Sequence, residues 1–569
     1  MHSKVFYERG FEMAQDIGRR DFLRGASVLG AATLGTAVLS GCAPRARANN
    51  GGGSASSGSG TGGIDPSKVT WDEEADVVIV GSGSSGTCAA IEAGEAGSDV
   101  IILEKSEVLF GGNSALCGGY MLAAGWSTQE QLTGYAGDTP EAFAEQMCRW
   151  SQGCGDQDMI REACMKSGEA VDWMIGTGRV YKGASMLPPI WECGDTEADR
   201  APRSVYNHEA YGATEGHMAT LRQKVDSMSN IQIKMGAEAA HILMNTDGEA
   251  IGVQLVDGSN IKAKQGVVMA CASCDNDVDM AHDLGLMQQV WGQTLANAGL
   301  QNPGCPDADT NTGDGVRMLR EIGADLRLGQ ACCMNDQLYI GGISDWGMSP
   351  AIGRQVNMYE STNSTGLIIV DRSGHRFCQD DAEWGYVIAQ ASKAAWKNGF
   401  NPLDPKTGYI WYICDSANYI FLQARGHTPD ANPFGTTFQS DTIEGLAEHI
   451  GCKPEALVAE IDRWNSFVDT GVDLDFGRKA DMAKIATPPF YCDVMIPGPM
   501  GTFAGAKTNI NTEVLAIDGE VIPRLYAAGT IAGGNWTGPF YFGCGWAITN
   551  TVVWGRKAGQ NVSALDPWE

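Results

Sequence analysis

The sequence predicts an α/β fold, and three observations carry that prediction. A short β-branched run, Asp76–Val80, leads at once into Gly81-x-Gly83-x-x-Gly86 and then into the Ala-rich, helix-forming stretch Thr87–Ala96. A second apolar run, Val100–Leu103, is short enough for a buried parallel strand and ends in Glu104. Glycine contributes 74 of the 569 residues with no G-x-y period, which points to tight turns and close backbone–ligand approach rather than collagen. With 43% apolar and 19% charged residues the chain is globular, and a net charge of −29 makes a nucleic-acid partner a poor electrostatic match.

Arg19 and Arg20 precede a stretch of small and apolar residues, Gly25–Gly41, that ends at Cys42. It is too short and too rich in glycine and alanine to span a membrane. The paired arginines resemble the twin-arginine export signal, and Leu39-Ser40-Gly41-Cys42 resembles the lipoprotein box, whose cysteine is acylated. Residues 1–42 are therefore expected to be a signal and 43–70 a flexible Gly/Ser tether. Together they imply an exported protein, anchored by lipid at Cys42 on the outer face of the bacterial cytoplasmic membrane.

Each part of the glycine turn has a physical task. Gly81 permits the tight bend, Gly83 lets the backbone approach a pyrophosphate, and Gly86 allows close packing of helix on strand. Ser84 and Ser85 open the helix, whose unpaired N–H groups and positive dipole suit phosphate. Glu104, about 20 residues further on, is placed to accept hydrogen bonds from a ribose diol, and Lys105 follows it.

Gly111-Gly112-Asn113-Ser114 comes next, then Cys117-Gly118-Gly119. Here the chain resembles the fumarate reductase/succinate dehydrogenase flavoprotein family and its soluble relatives, the ketosteroid dehydrogenases. The resemblance continues through Ala270-Cys271-Ala272-Ser273, where the family has A-T-G-G, through Thr312-Gly313-Asp314-Gly315, and through Pro523-x-Leu525-Tyr526-Ala527-Ala528-Gly529. Thr530 stands where the family's usual acid follows. What the resemblance implies is an FAD-binding Rossmann-like domain of the GR2 type, split in sequence between about 71–325 and 491–569, with an α+β cap domain inserted at 326–490. It also implies FAD contacts from Gly111, Gly112, Asn113, Ser114, Gly118, Gly119, Ala239, Ala270, Cys271, Ala272, Asp314, Gly529 and Thr530. The start of the last helix, Trp546-Ala547-Ile548, is expected to face the flavin edge. Local signals fit this plan: Thr139-Pro140-Glu141 reads as a helix start with Phe143, Met147 and Trp150 on one face, and Ile242–Asp257 reads as a hairpin around Asp247-Gly248.

The reaction site is read largely from what is missing. The family's diacid reductases use arginine and histidine on their substrate and an arginine as proton donor. Those positions hold Trp384, Gly501 and Phe542 here, while Arg376 of Gly374-His375-Arg376-Phe377 is expected to be structural. An uncompensated dicarboxylate is costly to bury, so an uncharged substrate is expected. Tyr541 and Gly545 align with the pair that holds a ketone oxygen in ketosteroid enzymes, the arrangement of an oxyanion hole for hydride addition to an unsaturated carbonyl. The proton donor stays open, with Tyr120 and Tyr339 conceivable. Within the family, the whole combination resembles members that reduce the unsaturated lactone of cardenolides such as digoxin. A 3-ketosteroid dehydrogenase and a fumarate-type reductase of another enoate are the alternatives.

No second strand–GxGxxG–helix unit and no C-x-x-C-H occur, so electrons are expected from an external donor, a membrane-associated cytochrome c. Of 17 cysteines, Cys42 goes to the lipid. Cys193, Cys271, Cys333 and Cys544 are candidates for a [4Fe–4S] cluster assembled from distant positions, with buried free thiols as the other reading.

Overall fold

The computed structural model describes residues 63–569 except 116, 195, 208–215, 285–309, 341–353, 358–364, 400, 402–406, 408, 420–436, 496 and 569. The signal, the lipid-box cysteine and the tether up to residue 62 lie outside the described residues. Among the described residues no helix is long and apolar enough to cross a membrane.

Strand β1 (Glu73–Val80), helix α1 (Ser84–Glu95) and strand β2 (Val100–Glu104) form the expected parallel unit, with Val77–Val80 beside Val100–Leu103. β3 (Ile231–Met235) adds beyond β2. β4 (Ala239–Met244) and β5 (Ala250–Leu255) are the expected hairpin. Its turn closes through Asn245, whose side-chain oxygen accepts from the N–H groups of Asp247 and Glu249, while Gly248 takes the positive φ of 78°. β6 (Asn260–Met269) runs parallel to β1 on its other side. Burial follows from this order: Val77, Val78, Ile79 and Ile102 are fully enclosed. The Thr139 side chain caps the helix Pro140–Trp150 by accepting from the Ala142 N–H, and that helix buries Phe143, Met147 and Trp150 as its sequence pattern requires.

After α2 (Asp314–Glu321) the chain leaves this domain along β7 (Leu326–Ile340). The insert holds an antiparallel sheet of β8 (Leu367–Val370), β9 (Ile410–Asp415) and β10 (Thr437–Ser440), with α3 (Trp384–Lys397) between the first two in sequence. α4 (Ile443–Ile450) and α5 (Pro454–Thr470) cover one face, enclosing a separate core of Ile368, Trp411, Ile413, Leu446 and Trp464. β11 (Phe490–Met495) lies between β9 and β10, and β12 (Pro497–Ala506) returns antiparallel to β7. β13 (Glu513–Leu515) and β14 (Val521–Ala527) then complete the first sheet, β14 running parallel to β6. The last helix, α6 (Trp546–Ser563), lies on α1.

Glycine makes that last contact possible. A Cβ at Gly555 would stand 2.5 Å from the Ser85 carbonyl oxygen, and one at Gly559 would stand 2.3 Å from that of Ala89. The two backbones therefore touch directly. Gly555→Ala is expected to cost about 1–3 kcal/mol through overpacking, read as a lower midpoint in chemical denaturation. A midpoint matching the parent protein would show that the helices separate without penalty.

Candidate functional site

A cleft with about 960 Å³ of free space opens where the carboxyl ends of β1, β2 and β6 meet the N-terminus of α1. Gly81 bends the chain at φ 105°, and a Cβ at Gly86 would fall 2.0 Å from the Gly81 carbonyl oxygen. Gly86 therefore sits behind the cleft, pressing helix onto turn. Gly83 differs. A Cβ there would make only ordinary contacts, with the Ser114 hydroxyl at 3.8 Å and the Gly111 and Ala270 carbonyl oxygens at 3.9 and 4.0 Å, so the protein's own packing does not demand glycine at this position. Gly83 caps α1 without a side chain of its own; the Ser84 N–H donates to the Ser114 hydroxyl at 3.1 Å, and the first turn of the helix lines the cleft with its positive end.

Gly81, Gly83, Ser84 and Ser85 line this space, as the sequence reading expects. So do Glu104 and Lys105 from the end of β2, and Gly112, Asn113 and Ser114 from the next turn. Ala239, Ala270, Cys271, Ala272 and Asp314 form the far wall, and Gly529 and Thr530 close it from the C-terminal strand. Gly111 stands behind its neighbours, donating its N–H to the Ser82 hydroxyl at 2.8 Å. Gly118 lines an adjoining pocket that shares Ser114, and Gly119 is pressed against the Arg179 guanidinium. From α6 it is Thr551 that reaches the cleft. Trp546 is fully buried among Phe143, Phe542 and Trp536, Ile548 is buried, and the Ala547 N–H donates to the Tyr541 hydroxyl at 2.9 Å.

Polar contacts fix the lining. Glu104 accepts from both the N–H and the hydroxyl of Ser82 and from the Ser106 N–H at 2.8 Å. Lys105 Nζ bonds Thr312 at 2.9 Å and the carboxylates of Asp314 and Glu238 at 2.8 and 2.7 Å. Burial works against its ammonium, but these two carboxylates outweigh it and hold the pKa above the ordinary lysine value. Burial, and then the Asp314 charge, push the Cys271 thiol up to about 12, so it stays protonated beside Gly315.

Two buried groups escape sequence reasoning. His217 Nε2 lies 2.8 Å from the Ser84 hydroxyl, itself in contact with Thr551 at 3.0 Å. Burial, with the Arg179 charge beside it, takes its pKa down to about 3, so this histidine is neutral. Asp275 Oδ2 accepts from Asn113 and Asn311, each at 2.9 Å, and Oδ1 from the N–H and hydroxyl of Thr502. Burial raises its pKa to about 6 despite those donors. The Cys271-x-x-Cys274 spacing draws attention away from the acid that follows it, and only the fold brings its partners together.

Tyr541 is buried, with its ring stacked over Phe503 at 6.0 Å. Gly545 takes φ 105°, and a Cβ there would lie 2.5 Å from the Met121 carbonyl carbon, so no other residue fits without displacement. Among the described residues no three His, Cys, Asp or Glu side chains stand together as metal ligands, and Cys193, Cys271 and Cys544 are in no disulfide. Cys333 falls on β7, where only the backbone is described. The described cysteines do not fit a cluster. The cleft, by contrast, fits FAD, because the Gly81–Gly83 turn and the first turn of α1 line it and present a helix N-terminus suited to a pyrophosphate.

Fold and cleft define a dinucleotide-binding flavoprotein with an inserted cap. The chain belongs to the FAD binding domain family, which matches residues 76–548. It is 64% identical over 561 residues to the digoxin reductase of Eggerthella lenta, covering 99% of both chains. It is 27% identical over 498 residues to a fumarate reductase (cytochrome) of Shewanella frigidimarina, covering 86% of this chain and 77% of that one. Its fold matches the 3-ketosteroid Δ1-dehydrogenase of Sterolibacterium denitrificans with a TM-score of 0.69 at 18% identity, covering 86% of this chain and all of that one.

Two measurements test the site. Gly83→Ala is expected to weaken FAD binding at least tenfold while the apoprotein's denaturation midpoint stays at the parent value, because the new methyl makes only ordinary contacts with the protein while standing in the cleft lining. His217 has a folded pKa of about 3 against 6.5 unfolded, so its stabilising effect is complete above pH 6.5 and is lost as pH falls through that window. In His217→Gln the drop in midpoint on acidification from pH 6.5 to about pH 4 should be shallower than in the parent.

Proposed function

We propose that the chain is an FAD-dependent reductase that saturates the carbon–carbon double bond of an uncharged α,β-unsaturated carbonyl, namely the lactone ring of cardenolides such as digoxin. The identity of 64% across 99% of both chains with a digoxin reductase carries this reading. FAD, when bound, supplies the hydride. The chain's own task is to hold the substrate oxygen on which negative charge develops.

Tyr541 and Gly545 are suited to that task. Donation by the Ala547 N–H to the Tyr541 oxygen polarises the phenol and strengthens it as a donor. The Phe503 stack fixes the ring, and the left-handed conformation of Gly545 directs its backbone at the start of α6. Donors of this type are worth about 2.7–4 kcal/mol each in other enzymes. The surroundings favour a neutral ligand. Phe542, where the family's diacid enzymes place an arginine, is fully buried between Phe540 and Trp546. Arg376 is committed to Asp473 at 2.9 Å and packed over Trp464, so it is structural, as expected.

The reading extends to the cell surface. With the export signal and the lipid-box cysteine, the enzyme is placed on the outer face of the cytoplasmic membrane, drawing electrons from a membrane-associated cytochrome c. A [4Fe–4S] cluster enters this reading only through cysteines beyond the described side chains, and iron and sulfide analysis of purified protein decides it.

Tyr541→Phe is expected to slow cardenolide reduction at least tenfold without changing FAD content, measured by anaerobic reoxidation of the reduced protein. Equal rates would remove Tyr541 from the site. In the same assay fumarate should leave the reduced protein unoxidised, and rapid reoxidation by fumarate would return the diacid reading.

A further inference from the structure

One carboxylate joins three segments that are distant in sequence. Asp275, only 1% exposed, bonds Asn113 in the turn after β2, Asn311 in the turn before α2, and Thr502 on β12. Asn113 and Asn311 both line the cleft, and Asn311 Nδ2 also donates to Asn113 Oδ1 at 2.6 Å, so the two amides are set as a pair. Thr502 lies on the strand that brings the chain back from the cap. It donates to Asp275 through both its backbone N–H and its hydroxyl, at 2.7 Å for the latter, and its hydroxyl accepts from the Cys274 N–H at 2.9 Å. The next residue, Phe503, is the ring stacked on Tyr541.

We infer that Asp275 is a positioning residue that couples the cofactor cleft to the cap-return strand and, through Phe503, to Tyr541. Its two oxygens divide the work, Oδ2 orienting the amides that face the cofactor and Oδ1 fixing β12. A carboxylate suits this post because it offers acceptors only, and the Asn113, Asn311 and Thr502 groups that bond it here are all donors. An amide in its place turns one acceptor into a donor, aimed either at the Asn113 and Asn311 side-chain nitrogens or, after a flip, at the Thr502 N–H, so one of the two sides loses its bonds. The position thus distinguishes Asp from its isostere. The inference rests on the FAD reading of the cleft.

The test uses the full chain and three variants: Asp275→Asn, Asn113→Ala and Thr502→Val. Flavin fluorescence gives the FAD dissociation constant, and backbone hydrogen exchange on β7 and β12, with and without FAD, reads the coupling. In the parent, FAD is expected to slow exchange along both strands. Asp275→Asn should weaken FAD binding at least tenfold, abolish the effect of saturating FAD on β12, and lower kcat for the enone. Asn113→Ala should weaken FAD binding at least threefold and leave β12 exchange in the apoprotein unchanged. Thr502→Val should keep FAD affinity within threefold of the parent while losing the slowing on β12. A purely structural Asp275 would lower the denaturation midpoint of Asp275→Asn alone; FAD affinity within twofold of the parent together with intact slowing on β12 overturns the inference. A parent protein that takes up no FAD removes the reading of the cleft itself, a result distinct from Asp275→Asn behaving like the parent.

Discussion

The Gly81 carbonyl oxygen lies where a side chain at residue 86 would begin, and the rest of the structure is arranged around that contact. Because α1 starts so close to the tip of β1, its N-terminus points into the cleft rather than over it. Other elements converge on the same turn. Gly529 packs against the Ser85 side chain, Gly555 against the Ser85 backbone, and Thr551 reaches both Ser84 and Ser85 through hydrogen bonds. The C-terminal strand and helix are thus pinned to the first helix, with the whole cap threaded between them. Backbone contacts at this distance tolerate no added carbon, which explains why glycine is concentrated on both partners.

The electrostatics of the cleft follow from the same geometry. Among the described lining residues Lys105 is the one lysine or arginine, and it is bound to Asp314 and Glu238. Glu104 adds a further carboxylate to the wall. A diphosphate could not be held here by ion pairing. It has to be held by helix N–H groups and dipole, which carry partial positive charge without a titratable side chain. That arrangement lets a protein of net charge −29 retain an anionic cofactor.

How far the sequence discloses this depends on whether the signal is local. The strand–turn–helix at 76–96 follows from glycine spacing and apolar periodicity, the cap at Thr139 from a side chain two residues ahead of a glutamate, and the hairpin from Asp247-Gly248. Each is decided within a few residues, and each is found in the fold. Asp275 and His217 are different, because their meaning lies in partners 162 and 133 residues away. Trp546 illustrates a third case: the start of α6 is legible in the sequence, while the course of its indole, which fills an aromatic core and donates to the Trp536 carbonyl at 3.1 Å, is not. Position along a helix is legible; the direction a large ring takes is settled by packing volume.

Charge in the cap bears on the substrate. Two of its arginines, Arg376 and Arg478, are buried, paired with Asp473 and Asp380, and packed over the same Trp464 ring. Releasing either guanidinium to bind a ligand would leave a carboxylate unpaired in the interior, a loss of several kcal/mol before any ligand contact is made. These cations are therefore structural capital of the cap, unavailable to a dicarboxylate. Phe503 stacks on the Tyr541 ring, Phe540 packs on Phe542, and the buried Glu383 carboxylate abuts the same loop at Gly543; on the proposed reading the polarised Tyr541 phenol and the Gly545 backbone serve there as neutral donors. Neutral donors in an apolar wall stabilise charge that develops during reaction better than charge that arrives with the substrate, because the latter must first be stripped of water. On the proposed reading, such a site selects for an oxygen that becomes anionic only as hydride is delivered.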